Sequence, residues 1–168
     1  MKGTTNQILV IFGSSGDLTK RKLIPALYDL YIQNLLPEKF AVLGVSRTSL
    51  SDDDFRKRAS EFLPAVENIE PFKKMLFYQP VSNDKSEDFI PLKNRLSDIS
   101  ANLQIPGNYI FYLSTPPSLY SVIPQFLYEN GLSKSDKNFR RLIVEKPFGT
   151  DLNSARELNI KLLNYFNE

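Results

Sequence analysis

The sequence contains no cysteine and no histidine among its 168 residues. Without cysteine the chain has no disulfide, no thiolate nucleophile and no cysteine-ligated zinc site, and we expect no metal site of any kind. Without histidine it lacks the side chain that most often serves as a general base near neutral pH. The absence of cysteine is compatible with a reducing cytoplasm, which is the location we expect.

An excess of one charge and long apolar runs are also missing. Lysine and arginine number 21 against 19 acidic residues, which gives a net charge of +2, and no basic stripe is present. The densest basic cluster, residues 20–22, is typical either of a small anionic ligand site or of a solvated face. No apolar stretch reaches membrane-spanning length, and the N-terminus has no apolar signal core. We therefore expect neither a nucleic acid nor a membrane as partner.

The residues that are present form the pattern of a globular α/β protein. Hydrophobic residues make up 42% of the chain and charged residues 24%, and the length suits one well-buried domain. Short apolar runs alternate with amphipathic stretches, which is typical of a mostly parallel sheet flanked by helices. Five strands are predicted, at residues 8–12, 40–45, 75–78, 109–113 and 142–144.

The amphipathic stretches between these runs predict the helices. The first helix is expected to turn one apolar face inward, formed by Leu23, Leu27, Leu30 and Tyr31. Pro25 lies within it, either in the first turn or at a kink. A helix over residues 86–103 is predicted to bury Phe89, Leu92, Leu96 and Ile99. The last helix, beginning at Thr150 or Asp151, is predicted to bury Ala155, Leu158, Leu162 and Phe166.

A glycine-containing turn, Gly13-Ser14-Ser15-Gly16-Asp17-Leu18, connects the first strand to the first helix. Strand, glycine turn, helix and strand form the mononucleotide-binding unit of a doubly wound sheet. Gly13 can make the tight turn, Gly16 lets backbone approach a pyrophosphate, and the helix start offers free amides. The spacing departs from G-x-G-x-x-G because the central glycine falls on Ser15. The turn alone is therefore equally compatible with a plain connection between strand and helix.

The end of the second strand indicates which dinucleotide such a site would take. An NAD-specific site usually places Asp or Glu there to hold the ribose, whereas this chain has Val45-Ser46-Arg47-Thr48 and no acid until Asp52. A guanidinium suits a 2′-phosphate, unless Arg47 is an ordinary surface arginine, and hydroxyls of Ser15 and Thr48 could assist. We therefore predict a Rossmann-type, doubly wound domain over residues 1–168 that binds NADP, with NAD also possible.

Three segments carry a more specific signal. They are residues 11–27 around the glycine turn, Phe111-Tyr112-Leu113-Ser114-Thr115-Pro116-Pro117, and Glu145-Lys146-Pro147-Phe148-Gly149. In this order and at this spacing they closely resemble the opening of the glucose-6-phosphate dehydrogenase family, whose glycine turn is written G-x-x-G-D-L-A. The resemblance covers the whole chain. Thr19 departs from the usual alanine of the family but is small enough to fit.

The resemblance implies a role for each matched position. The cofactor-binding residues would be Gly13, Ser14, Ser15, Gly16, Asp17, Leu18, Arg47, Pro80, Val81, Thr115, Pro116, Tyr120 and Lys146. Among these, Arg47 would hold the 2′-phosphate, and Thr115, Pro116 and Tyr120 would lie beside the nicotinamide. Lys22 and Lys146 would face the phosphate of the substrate, glucose 6-phosphate.

The resemblance also implies an activity, the oxidation of glucose 6-phosphate to 6-phosphogluconolactone in the pentose phosphate pathway. The family continues into R-I-D-H-Y-L-G-K-E, and it carries its catalytic histidine and a C-terminal substrate and dimerisation domain beyond the residues matched here. We therefore expect a fragment of a homo-oligomeric enzyme that contains no catalytic residue, binds cofactor and does not turn over. The alternatives are a sugar dehydrogenase of the glucose–fructose oxidoreductase type, whose glycine turn is normally closer to G-x-G-x-x-G, and a non-catalytic NADP-binding module.

Overall fold

The structure is a computed structural model that describes residues 5–64 and 69–167. The strands in these residues are β1 (Gln7–Phe12), β2 (Phe40–Ser46), β3 (Leu76–Pro80), β4 (Tyr109–Leu113) and β5 (Arg140–Val144). The α-helices are α1 (Ile24–Ile32), α2 (Asp52–Ser60), α3 (Ile69–Lys73), α4 (Ile90–Leu103), α5 (Val122–Glu129) and α6 (Leu152–Tyr165). A π-helical turn, Thr19–Leu23, leads into α1, and 3₁₀ turns precede α4 and α5 at Ser86–Phe89 and Pro117–Leu119.

The five strands form one parallel sheet in the order β3-β2-β1-β4-β5. This order confirms the predicted doubly wound, Rossmann-type fold. The register places Phe12, the last residue of β1, between Val45 of β2 and Leu113 of β4. The carboxyl ends of the three central strands therefore lie side by side, at the point where the strand order reverses. Ligands bind at this point in folds of this type.

The central strands are apolar on both faces because helices cover both sides of the sheet. Along β1, Val10 and Phe12 enter a core cluster shared with α4 and α5, whereas Ile11 enters a second cluster shared with α1, α2 and α3. Right-handed crossovers explain the division. The strand order runs from β1 to β3 in one direction and from β4 to β5 in the opposite direction, so the connecting helices lie on opposite faces of the sheet. The two layers hold the sheet ends in fixed positions.

Pro25 lies within one continuous helix over residues 17–32. Proline has no N–H to donate to the carbonyl four residues earlier. Just before it the helix widens into the π-helical turn, in which the Ile24 N–H donates to the Thr19 carbonyl. Pro25 is then in the first turn of α1, which agrees with one of the two predicted alternatives.

The inward face of α1 agrees with the prediction in part. Leu23, Leu27 and Tyr31 are half-buried against the second core cluster, but the fully buried residues are Ile24 and Tyr28, and Leu30 is 39% exposed. The three predicted leucines also line an apolar groove of about 330 Å³ between α1 and β4–β5. The groove exists because the helices on this face connect β1, β2 and β3. They cover that half of the sheet and leave β4 and β5 uncovered. Helical periodicity alone could not show on which side of α1 the sheet would be uncovered.

The later helices follow the predicted pattern. All four predicted core residues of the 86–103 segment are buried: Phe89, Leu92, Leu96 and Ile99. Asp151 caps α6 by accepting a 2.7 Å hydrogen bond from the Ser154 N–H. In α6, Leu162 and the following Phe166 are buried, but Ala155 and Leu158 are only half-buried because α6 covers the edge of the sheet.

We predict that Gly13→Ala destabilises the fold far more than Gly131→Ala. Both glycines have a positive φ, +81° and +70°, so alanine is strained at either position. At Gly13 the added Cβ would also lie 2.0 Å from the Ser114 carbonyl oxygen, whereas at Gly131 it would meet nothing within 4 Å. In urea unfolding we expect losses of roughly 3 kcal/mol or more at Gly13 and about 1 kcal/mol at Gly131. Equal losses would show that the close contact with Ser114 does not exist.

Candidate functional site

A cleft of about 510 Å³ opens at the carboxyl ends of β1, β2 and β4. One wall is the glycine turn after β1, the second is the loop after β2, and the third is the loop after β4. Six of the predicted site residues line it: Gly13, Ser15, Gly16, Arg47, Thr115 and Pro116. The topology alone brings these residues together, since they lie on three loops that are distant in sequence.

The glycine turn is tied to the end of β2 by backbone hydrogen bonds. The N–H groups of Gly13 and Ser14 donate to the Val45 carbonyl at 2.9 and 3.1 Å, and the Gly16 N–H donates to the Gly13 carbonyl at 3.0 Å. The helix that follows starts at residue 17, and the first N–H groups of a helix have no acceptor within it. These amides and the positive end of the helix dipole make this wall suited to an anion.

Arg47 lies one residue beyond β2, on the opposite wall of the cleft. It is exposed, and none of the ion pairs within residues 5–64 and 69–167 includes it. Ser46 and Thr48 on either side of it also line the cleft. The guanidinium therefore has its donors available beside the Thr48 hydroxyl, a combination that suits a phosphate.

Two buried polar atoms at the cleft have no hydrogen-bond partner in the described part of the chain. They are the Thr115 Oγ1 and the Asn83 Oδ1. Buried side-chain oxygens are normally paired, so an unpaired one needs an explanation. A polar ligand in the cleft would supply the missing partner.

A second, smaller cavity of about 250 Å³ continues the cleft towards β5. It shares Ser114 and Thr115 with the first cavity. Three further predicted site residues line it: Leu18, Tyr120 and Lys146. The peptide bond between Lys146 and Pro147 is cis. The two cavities form one extended surface with Arg47 at one end and Lys146 at the other.

Glu145 determines the electrostatics of the second cavity. The Tyr112 hydroxyl donates a hydrogen bond to its carboxylate. Burial, followed by this bond and the Glu145 charge, raises the pKa of Tyr112 to about 12. Burial and the same charge also raise the pKa of Tyr120. Both phenols therefore stay protonated at neutral pH, and a carboxylate lies next to Lys146 at this end of the surface.

The remaining predicted site residues line neither cavity. The Ser14 side chain is buried beneath the turn at 1% exposure, and Val81 belongs to the core at 3%. Asp17 and Pro80 are exposed at the margins of the turn and of β3, and Lys22 is exposed on the π-helical turn. For Ser14 and Val81, only main-chain atoms could reach a ligand.

Several residues at this surface were not identified from the sequence. Asn83 and Asp84 line the cleft on the loop after β3, and Glu145 lines the second cavity after β5. A usable signal existed, because polar residues that directly follow parallel strands meet at the same edge of the sheet. After the third strand, the predicted site included Pro80 and Val81 but not Asn83 and Asp84, which follow directly.

Comparison with known proteins agrees with this geometry. Residues 10–168 match the family described as "Glucose-6-phosphate dehydrogenase, NAD binding domain". The chain belongs to this family. The glucose-6-phosphate 1-dehydrogenases of Aggregatibacter actinomycetemcomitans and Treponema pallidum (strain Nichols) are 48% and 43% identical to it, over 97% and 96% of the chain. The chain spans only 34% and 33% of those two proteins.

Solved structures of the family have the same fold. A glucose-6-phosphate dehydrogenase in complex with its substrate glucose-6-phosphate aligns with a TM-score of 0.86 at 33% identity, covering 99% of this chain and 36% of that one. The enzyme from Mycobacterium avium aligns at 0.75 and 28% identity, covering 96% of this chain and 34% of that one. The predicted family and fold are thus confirmed, and the glucose–fructose oxidoreductase alternative is not favoured.

Within the described residues, no helix has both the length and the apolar character that a bilayer span requires.

We predict a pH-dependent stability contribution from Tyr112. Folding raises its pKa from 10.0 to about 12, so the contribution is complete below pH 10 and is lost as the pH rises towards 12. The free energy of unfolding should therefore fall more steeply between these pH values in the wild type than in Tyr112→Phe. Urea unfolding at a series of pH values measures both slopes.

Glu145→Gln is the matched variant for this experiment, because it keeps an acceptor for the Tyr112 hydroxyl and removes the charge. Its slope is expected to lie between those of the wild type and Tyr112→Phe. Identical slopes for all three proteins would contradict the assigned role of the Glu145–Tyr112 pair.

Proposed function

We propose that this chain is the NADP-binding part of a glucose-6-phosphate 1-dehydrogenase. The observation that supports this most strongly is the cleft itself, which has the glycine turn and the free amides of a helix start on one side and the exposed Arg47 guanidinium on another. These are the two anion-binding elements that a dinucleotide with a 2′-phosphate needs. The names of the relatives support the same assignment.

The residues at the cleft fit this cofactor. In our proposal the free N–H groups at the start of the helix after the glycine turn hold the pyrophosphate, and Arg47 holds the 2′-phosphate with help from the Thr48 hydroxyl. The orphaned Thr115 Oγ1 then has a polar partner. Replacement of Gly16 would crowd the turn, because a Cβ there would lie 3.2 Å from the Gly13 carbonyl oxygen. The absence of an acid directly after β2 leaves space for a phosphate where an NAD-specific site would hold a hydroxyl.

The second cavity would receive the reacting end of the cofactor. NADP bound there would accept a hydride from C1 of glucose 6-phosphate, which is the chemistry that the cofactor supplies. Thr115, Pro116 and Tyr120 would shape the nicotinamide pocket. Lys146 would attract the phosphate of the sugar, with Lys22 as a second cation near the glycine turn. One solved relative is described as a complex with this substrate.

The whole enzyme would extend beyond these residues. Because the chain spans about a third of its relatives' length, we propose that residues 1–168 form the cofactor domain and that other parts of a full-length protein provide the substrate and dimerisation domain. Such a protein would be a cytoplasmic homo-oligomer. The catalytic base would also come from those parts, since this chain contains no histidine.

We predict that Arg47→Ala weakens NADP binding by roughly 30-fold, or about 2 kcal/mol, because a charge-assisted contact is lost. NAD has no 2′-phosphate, so its affinity should change little. Calorimetric titration of the 168-residue chain with both cofactors measures the two effects. The matched control is Arg156→Ala, which removes an exposed arginine on α6, far from the cleft in sequence. Equal NADP and NAD affinities, unaffected by Arg47→Ala, would contradict the proposed cofactor site.

We also predict that the purified 168-residue chain binds NADP but does not oxidise glucose 6-phosphate. The reason is that the chain has no histidine to take the proton of the C1 hydroxyl. The assay follows the absorbance of the reduced nicotinamide after substrate is added to a cofactor-saturated sample. Substrate-dependent reduction above the level of a protein-free control would contradict this prediction.

A further inference from the structure

A buried hydroxyl group from the neighbouring strand contacts the loop that carries Arg47 on both sides of the arginine. Tyr78 lies on β3, paired with Gly44 of β2, and is 4% exposed. Its hydroxyl oxygen lies 2.6 Å from the Ser46 Oγ and 2.6 Å from the Thr48 carbonyl oxygen. These contacts are to the residues immediately before and after Arg47.

The chemistry of the groups assigns the direction of each bond. A carbonyl oxygen only accepts, so the Tyr78 hydroxyl donates to Thr48, and the Ser46 hydroxyl donates to Tyr78. The Thr48 N–H lies 3.4 Å from the Ser46 Oγ, which adds a longer contact across the loop. Burial raises the pKa of Tyr78, so its hydroxyl keeps the proton that it donates. The backbone on both sides of Arg47 is thereby fixed, while the guanidinium itself remains exposed.

Tyr78 is itself held firmly in the core. Its ring packs against the Phe55 ring with centroids 5.2 Å apart. Its backbone N–H donates to the Asp52 Oδ1 at 2.8 Å, and the other Asp52 oxygen accepts a 2.5 Å bond from Arg95. The hydroxyl therefore projects from a fixed side chain towards the loop, and it adds to the 2.9 Å bond that the Val81 N–H donates to the Ser46 carbonyl. Preorganisation of this kind strengthens binding because less conformational freedom is lost when the ligand arrives.

We propose that Tyr78 is a positioning residue for recognition of the 2′-phosphate, acting through Arg47 by fixing the backbone at Ser46 and Thr48. The inference rests on the proposed function, since it assumes that Arg47 binds this phosphate. Tyr78 contacts no part of the ligand in this role. It fixes the backbone from which the Arg47 side chain extends, and so favours a cofactor with the 2′-phosphate over one without it.

The test uses two probes that differ only in this phosphate, 2′,5′-ADP and 5′-AMP, titrated into the 168-residue chain by calorimetry. Tyr78→Phe keeps the ring and removes the hydroxyl. We expect it to weaken 2′,5′-ADP binding by about 5-fold, the size of one lost hydrogen bond, and to leave 5′-AMP binding unchanged within about twofold. The matched control is Tyr109→Phe, a buried tyrosine whose hydroxyl contacts Ser100 instead, and it should change neither affinity.

A double-mutant cycle separates positioning from a merely structural role. If Tyr78 acts through Arg47, adding Tyr78→Phe to Arg47→Ala causes no further loss of 2′,5′-ADP affinity. A structural role would instead weaken both probes and would persist in the Arg47→Ala background, and this result would overturn the proposal. The proposal would also be overturned if Arg47→Ala weakened 2′,5′-ADP binding and Tyr78→Phe left it unchanged. If Arg47→Ala itself does not weaken 2′,5′-ADP binding, that result contradicts the proposed cofactor site on which the role of Tyr78 rests.

Ser46→Ala covers the case in which Tyr78→Phe does not fold. It removes the serine hydroxyl that donates to Tyr78 and leaves the tyrosine in the core. Selective weakening of 2′,5′-ADP binding is expected here as well, and unchanged binding of this probe would overturn the proposal.

Discussion

The carbonyl oxygen of Ser114 lies where a side chain at residue 13 would begin, and the candidate site depends on this contact. A Cβ at Gly13 would lie 2.0 Å from that oxygen, so only glycine allows the ends of β1 and β4 to come this close. The Ser114 N–H donates to Phe12 and the Gly13 N–H donates to Val45, at 3.0 and 2.9 Å. One turn therefore joins three strand ends, and it brings the helix start, the Arg47 loop and the β4 loop around a single cleft.

Most of the fold could be predicted because burial on both faces leaves a strong signal in the sequence. The predicted and observed bounds of β4 coincide, and α4 buries the four residues assigned to its core. The hydrophobic pattern predicted the strand bounds less well at the edges of the sheet. The strand β5 begins at Arg140, two residues earlier than predicted, because this guanidinium lies over the Tyr109 ring at 4.1 Å and is partly buried there. From the sequence alone an arginine favours a loop, and only the Tyr109 ring on the neighbouring strand makes it compatible with a sheet.

The candidate site was predictable where its chemistry is local and was missed where it depends on distant partners. The glycine turn and Arg47 could be identified because each follows a strand directly, within the first nucleotide-binding unit. Tyr78 reaches Thr48 across 30 residues, and Tyr112 reaches Glu145 across 33. In sequence both tyrosines are ordinary strand residues with high β propensity. Their roles follow from the parallel register, which places the ends of neighbouring strands next to each other.

The two ends of the extended surface differ in charge, and in the proposed function this difference would orient the dinucleotide. At one end Arg47 is exposed and has no ion pair within the described residues, so this end favours the phosphate-bearing adenosine. At the other end Lys146 lies beside the Glu145 carboxylate, which offsets its charge, so this end suits a positively charged oxidised nicotinamide ring better than a 2′-phosphate. In the proposed function, the reversed orientation would bring the 2′-phosphate near Glu145 and leave Arg47 unpaired. Charge therefore favours, in that proposal, the orientation that places the reacting ring beside Lys146.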